Sequence, residues 1–282
     1  MNLKYRLFVS DIDGTLIGED RKISEKNKNM IRLYRQLGGQ VTLATGRSYL
    51  ETKKFIEELG LELPVILCNG AILYDPLQDH LHTVTCLERN KTLNFVARIE
   101  RMLPDVDILI FTPKAIYTKG MNEFTAEGLD EEGFTIVEVN RLVEIPQENP
   151  IIKFVIVKPN VEKTVVPHLQ EQPEFDELTV IQSADFYLEV LPLHTSKGKA
   201  VVQLAEEWNI PLQDVAVIGD HLNDLSMFEV AGLSAAVGNA HPSAKKRADV
   251  VMPSNEEHAV AHFLKHYVIP SPSQYKSRTA IR

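Results

Sequence analysis

Leu7-Phe8-Val9-Ser10-Asp11-Ile12-Asp13-Gly14-Thr15-Leu16 is the stretch on which the reading of this chain turns. Apolar residues running into it describe a strand, and Gly14-Thr15 marks where that strand must break into a loop. Asp11 and Asp13 therefore sit at a strand's carboxyl end. Extended backbone points residues two apart to the same side, so the two carboxylates crowd their charges unless a cation or a proton intervenes. A hard, oxygen-seeking cation such as Mg²⁺ answers that crowding. Taken alone, the pair also fits a surface turn carrying two acids, so the rest of the chain has to decide.

At 282 residues the chain is long for one core and comfortable for two domains. Its 44% apolar and 24% charged residues are ordinary for a globular protein with a sizeable core. A formal net charge of -9 argues against a nucleic-acid partner, which needs basic surface, yet leaves room for a small anionic substrate beside a local cation. Cys68 and Cys86 are too few for a disulfide framework and lack metal-type spacing, so a reduced, cytoplasmic setting is expected. No apolar run reaches the roughly 20 residues of a membrane span, and the N-terminus lacks a signal-peptide core. A soluble protein with no membrane partner is expected.

From the Asp pair outward, Ile17 to Ile23 reads as a small hairpin or flap. Ser24 is an N-cap for a helix with Met30, Ile31, Tyr34 and Leu37 at helical spacing, ended by Gly38-Gly39. Gln40 to Leu43 is a second strand, running into Ala44-Thr45-Gly46-Arg47. Ser48-Tyr49-Leu50-Glu51 has the capping-box pattern, so Thr45 and the amides near Gly46 lie at a helix N-terminus, where an oxyanion is welcome. A cap and a turn explain Thr45-Gly46-Arg47 about as well. Pro64 to Gly70 gives a third buried strand, and strand-helix-strand-helix-strand implies a parallel α/β sheet. Ala71 to Val84 reads as a hairpin around Asp75-Pro76. A helix near Lys91 to Arg101 and short strands such as Ile108 to Phe111 and Lys153 to Val157 then suggest a second α/β unit, without a catalytic motif, that binds or covers something.

The parallel pattern resumes at His194-Thr195-Ser196-Lys197-Gly198-Lys199, followed by a helical stripe to Trp208. Lys197 falls in the first turn, where the helix dipole disfavours a cation unless an anion answers it; an exposed lysine beside a cap is the plain alternative. Val215 to Gly219 is a buried strand ending in Asp220-His221-Leu222-Asn223-Asp224. If that loop rolls into a helical turn, Asp220, Asn223 and Asp224 can face one site; a solvated helix start is the plain alternative. Ala235 to Gly238 and Ala248 to Val251 extend the same sheet.

The order D-x-D-G-T-L, strand-T-G-R, K-G-K and G-D-x-x-N-D, each at a strand end or helix start, resembles the haloacid dehalogenase superfamily. Asn69-Gly70-Ala71, the large insert and Gly238-Asn239-Ala240 make it most similar to the Cof-type phosphatases, over roughly residues 5 to 268. The resemblance implies a Rossmann-like parallel-sheet core, residues 1–83 and 190–282, with an inserted α/β cap over residues 84–189. It implies Mg²⁺-dependent hydrolysis of phosphomonoesters of small metabolites, sugar phosphates or phosphorylated cofactors, through an aspartyl phosphate. Asp11 matches the nucleophile and Asp13 the general acid and base. The metal ligands match Asp11, the Asp13 carbonyl and Asp220. Thr45, Gly46 and Lys197 match the holders of the phosphoryl oxygens; Asn223 falls on the same phosphate side and, with Asp224, orients the metal region. A phosphomutase of the same superfamily, or a metabolite-binding protein that kept the pocket without turnover, are the alternative readings. His258 stands where relatives often have glycine, which puts only the local loop shape in question. The polar, basic residues from Pro270 to Arg282 are expected to be an appendage.

Overall fold

The computed structural model describes residues 3–122, 125–126 and 135–270. The tail expected as an appendage lies outside them from residue 271 onward. The core is a parallel sheet in which β1 (Leu7–Ser10) is flanked by β2 (Gln40–Leu43) and β12 (Val215–Gly219). Beyond β12 come β13 (Leu233–Ala236) and β14 (Val250–Val251), giving the order β14-β13-β12-β1-β2. A parallel bridge from Ala44 to Ile66 sets β3 (Val65–Leu67) beside β2, and β3 turns back through antiparallel β4 (Ile72–Asp75) and β5 (His80–Thr83). The turn expected at Asp75 forms through its carboxylate, which accepts from the Leu77 and Gln78 amides at 2.9 and 3.1 Å.

Register brings the motifs to one edge. Ser10 pairs with Leu43 on one side and Ile218 on the other, so the three strands end level. Asp11, Thr45 and Asp220 thus leave the sheet along one carboxyl edge, at the place where the chain order reverses and α/β folds form a crevice. The sheet is apolar because helices cover it. α1 (Glu25–Gln36) starts at the Ser24 cap, whose hydroxyl accepts from the Asn27 amide at 3.3 Å, and buries Ile31 and Tyr34. α2 (Tyr49–Leu59) buries Phe55, Ile56 and Leu59 and ends on Gly60 in the left-handed region. Its expected capping box is present, with Glu51 accepting from the Ser48 amide at 2.6 Å. The expected flap is present as an antiparallel Ile17–Ile23 bridge.

The insert builds its own sheet. α3 (Arg89–Met102) leads into β6 (Asp107–Phe111), β7 (Ile116–Thr118), β8 (Ile136–Glu138) and β9 (Lys153–Val157). After α4 (Val161–Thr164) and α5 (Val166–Gln170) come β10 (Leu178–Ala184) and β11 (Tyr187–Pro192), in the order β10-β11-β9-β6-β7-β8. Alternation along these strands gives two unlike faces. Phe154, Ile156, Leu188 and Val190 join Phe95, Val96 and Ile99 of α3 and Leu169 of α5 in a core separate from that of the parallel sheet. Leu109, Phe111, Val155 and Val157 lie on the opposite face, with Tyr187 packed against them.

The chain returns to the core through α6 (Lys197–Glu207), with Trp208 as its C-cap, and closes with α7 (Leu225–Val230), α8 (Pro242–Arg247) and α9 (Ala259–Phe263). α1 packs on α9, and Asn27 stitches that contact: its side chain donates to the Leu16 carbonyl at 3.2 Å and accepts from the Ala261 amide at 3.0 Å. His258 does take a glycine-like left-handed conformation, φ 65°, and its ring nitrogen lies 2.9 Å from the Ser24 hydroxyl. Among the described residues no helix is long and apolar enough to cross a membrane.

Candidate active site

Lys197 is the first residue of α6 and is wholly buried. Its ammonium donates to Asp11 at 2.7 Å and to Asp224 at 2.6 Å. These are the anions that a lysine in a first helical turn requires. Burial alone would lower the Lys197 pKa, but the two carboxylates outweigh it and hold the ammonium above its ordinary value. Asp224 is equally buried; its second oxygen accepts the amides of Asp220 and His221 at 2.8 and 3.0 Å, which curls the loop after β12. A side chain on Gly219 would collide with that carboxylate, so glycine there is a matter of space.

Asp11, 4% exposed, Asp220 and Asp224 each bring an oxygen within 4.8 Å of the others. Burial pushes Asp11 up to about 7, with Lys197 pulling it down and Asp224 adding to the rise. Burial and the Asp11 charge push Asp220 up to about 9. Both shifts come first from burial and then from the carboxylates facing one another. Among the described residues no group donates a hydrogen bond to the Asp220 carboxylate, and a side chain on Gly14, which has φ +68°, would collide with it. A half-buried carboxylate beside the buried carboxylate of Asp11 and a bare glycine fits a hard divalent cation.

Asp13 projects to the half-exposed side of the same loop, where Arg47 grips it in a fork: Nε to Oδ2 at 2.8 Å and Nη2 to Oδ1 at 2.7 Å. Thr45 is buried, and its hydroxyl accepts from the Arg47 amide at 3.1 Å. Gly46 follows at the mouth of α2. Its carbonyl accepts from Lys153 at 2.9 Å. The Asn223 amide donates to the Asn69 side-chain oxygen at 3.1 Å.

The edge of β1, β2 and β12 therefore gathers Asp11, Asp13, Thr45, Gly46, Lys197, Asp220 and Asp224, with Asn223 in the same loop as the last two. From the sequence Arg47 has no assigned partner, and Asn69, Lys153 and Glu189 do not stand out as site residues. The available signals are small: an arginine after Thr-Gly, and single charges inside otherwise apolar strands.

Carboxylates converging on a buried lysine at the switch point of a parallel sheet, roofed by an inserted α/β unit, define an enzyme of the acid-cluster α/β class. Residues 8–264 match the haloacid dehalogenase-like hydrolases, and the chain belongs to that family. It is 29% identical to Phosphatase YwpJ of Bacillus subtilis over 93% of this chain and 99% of that protein. It is 26% identical to Pyridoxal phosphate phosphatase YbhA of Escherichia coli over 94% of this chain and 99% of that protein. The solved structure of a haloacid dehalogenase-like hydrolase from B. subtilis superposes with a TM-score of 0.82, at 27% identity over 93% of this chain and 100% of that one.

Proposed function

We propose that this chain is a Mg²⁺-dependent phosphatase that hydrolyses phosphomonoesters of small metabolites through an aspartyl phosphate on Asp11. The observation that carries the reading is Lys197, buried between Asp11 and Asp224 at 2.7 and 2.6 Å. A lysine so placed lets one anionic carboxylate approach an anionic phosphoryl group. Mg²⁺ would be held by the Asp11 and Asp220 carboxylates and the Asp13 carbonyl, supplying positive charge against the phosphoryl oxygens. Asp224, with both oxygens already engaged, serves to hold Lys197 and the Asp220 loop.

In the first step an Asp11 oxygen attacks phosphorus and the ester P–O bond breaks, while Asp13 gives its proton to the leaving oxygen. In the second, Asp13 takes a proton from water as its oxygen attacks phosphorus, and the bond from Asp11 to phosphorus breaks, freeing inorganic phosphate. Asp13 is held in the Arg47 fork, at 2.8 and 2.7 Å, and must leave that fork to hand a proton to the leaving oxygen. Thr45 and the backbone at Gly46 fix the phosphoryl oxygens, and Asn223 supports them through Asn69. Alignment and charge neutralisation of this kind dominate phosphoryl transfer.

Residues 84–189, together with the rest of β11 up to Pro192, form the cap, hinged on the linkers that join it to the core on either side. The face of its sheet opposite α3 and α5 meets the loops at Gly46 and Asn69, where it excludes water and reads the non-phosphate part of the substrate. The name of the E. coli relative favours a phosphorylated cofactor as that substrate, with sugar phosphates the other class to test. The test is inorganic phosphate release from a metabolite panel by the wild type and by Asp11→Asn. Release by the wild type without an added bisphosphate, and its loss in Asp11→Asn with the fold intact, are expected. Near wild-type turnover in Asp11→Asn, or turnover only with a bisphosphate activator, would refute the proposal.

A further inference from the structure

A charge pair lies in the seam between the two sheets, and the phosphatase chemistry leaves it without a task. Lys153 and Glu189 come from neighbouring antiparallel strands, β9 and β11, and strand alternation puts both on the face opposite α3 and α5. The Lys153 ammonium donates to Glu189 Oε2 at 2.8 Å and to the Gly46 carbonyl at 2.9 Å. The same Glu189 oxygen accepts from the Asn69 amide at 3.1 Å, and the Asn69 oxygen accepts from Asn223 at 3.1 Å. Lys153, Glu189 and Asn69 are 4%, 6% and 0% exposed.

Two features make this a directional device. Asn69 is used at both ends of its amide, so its orientation is set: nitrogen toward the insert, oxygen toward the loop after β12. It also sits with Cys68 in the left-handed region, φ 54° and 49°, a conformation asparagine takes readily but cysteine holds only when its surroundings over-determine it. The turn backs the Thr45-Gly46-Arg47 loop directly, through Cys68 N to Arg47 O and Asn69 N to Thr45 O, both at 2.9 Å. Burying an ion pair adds little stability over an apolar pair of the same shape. Stability therefore does not account for a lysine and a glutamate at this seam, whereas fixing a carbonyl and an amide does.

We propose that Lys153 and Glu189 are positioning residues for phosphoryl binding, acting through the Gly46 carbonyl and the Asn69–Asn223 amide relay so that the phosphate-side loops reach working geometry only against the docked insert. The inference rests on the phosphatase reading of the site.

The test uses the full chain with Mg²⁺ and inorganic phosphate as the probe. Phosphate affinity, Mg²⁺ affinity, melting temperature, and kcat and KM on p-nitrophenyl phosphate are measured for Lys153→Met, Glu189→Gln and the apolar double variant Lys153→Met/Glu189→Leu. Phosphate affinity and kcat should fall by about 10- to 100-fold, the usual cost of removing a group that orients a site from behind. Mg²⁺ affinity should hold. The double variant, with no unpaired buried charge, should recover melting temperature without recovering phosphate affinity. Recovery of both together would overturn the proposal, since the pair would then be structural only. Unchanged phosphate affinity in every variant would overturn it as well. A wild type that binds Mg²⁺ but not phosphate would instead overturn the underlying reading of the site, and the proposal with it.

Discussion

Replacing Lys197 with methionine keeps the side chain's length and apolar stem and removes its charge from a wholly buried position. The ammonium sits 2.7 and 2.6 Å from Asp11 and Asp224, and Asp220 completes a cluster whose oxygens lie within 4.8 Å. Removing one partner of a buried pair costs about 3–5 kcal/mol. The Coulomb energy of a unit pair at about 4 Å in a medium of effective dielectric constant about 20 has the same size, about 4 kcal/mol. For chains somewhat smaller than this one each kcal/mol moves the melting point by about 2–4 °C, so a fall of about 6–20 °C is expected without metal. The loss has a definite pH dependence. Asp11 and Asp220 have their pKa values raised by the fold, to about 7 and about 9, from an ordinary aspartate value of 3.8. Between the unfolded value and those raised values the native state binds protons that the unfolded state does not, so metal-free stability falls as pH rises through this window. The Lys197→Met penalty should follow the same sign, small at pH 5 and largest near pH 9, and Mg²⁺ should offset part of it by answering the carboxylates. Differential scanning fluorimetry at several pH values, with chelator and with Mg²⁺, measures all of this. A melting point unchanged at pH 9 in chelator would refute the reasoning, because the carboxylates would then not depend on Lys197 for their charge balance.

Asp13→Asn should lower turnover by about 10²- to 10⁴-fold, the usual worth of a general acid and base. Phosphoenzyme formation from a nitrophenyl ester should suffer less than from an alkyl ester, and equal losses would remove Asp13 from that role. Gly14→Ala places a methyl group against the Asp220 carboxylate at φ +68°. The rise in melting temperature on adding Mg²⁺ should vanish in this variant, and a wild-type rise would show that Asp220 does not meet the metal beside Gly14. His258→Gly relieves a left-handed residue worth about 1–2 kcal/mol but gives up the Ser24 contact. It should be nearly neutral in urea unfolding, whereas His258→Ala, which keeps the strain and loses the contact, should cost about 0.5–1.5 kcal/mol; the reverse order would refute this account of the loop.

The parallel core was legible because its signals are local. Each strand is an apolar run closed by glycine or a polar cluster, and each following helix has its own cap, so Asp11, Thr45 and Asp220 fall at strand ends and Lys197 at a helix start from local signals alone. What one strand end does to another was not legible. Asp13 is gripped by Arg47 and Asn223 turns to Asn69 because of register between strands that are remote in sequence, and no spacing rule carries that information. The seam was the least visible part. Lys153 and Glu189 each look like a stray charge in an apolar strand, and such a charge is costly to bury alone. Two stray charges in strands of one insert are better taken as a pair, since burial requires each to find the other. Pairing Lys153 in Lys-Phe-Val-Ile-Val with Glu189 in Tyr-Leu-Glu-Val-Leu makes β9 and β11 neighbours, which they are. The third party, the Gly46 carbonyl with Asn69, stays hidden even then. A main-chain carbonyl leaves no mark in a sequence, and Asn69 reads as a turn residue until the amide at its tip is seen to join the insert to the loop that ends in Asp224.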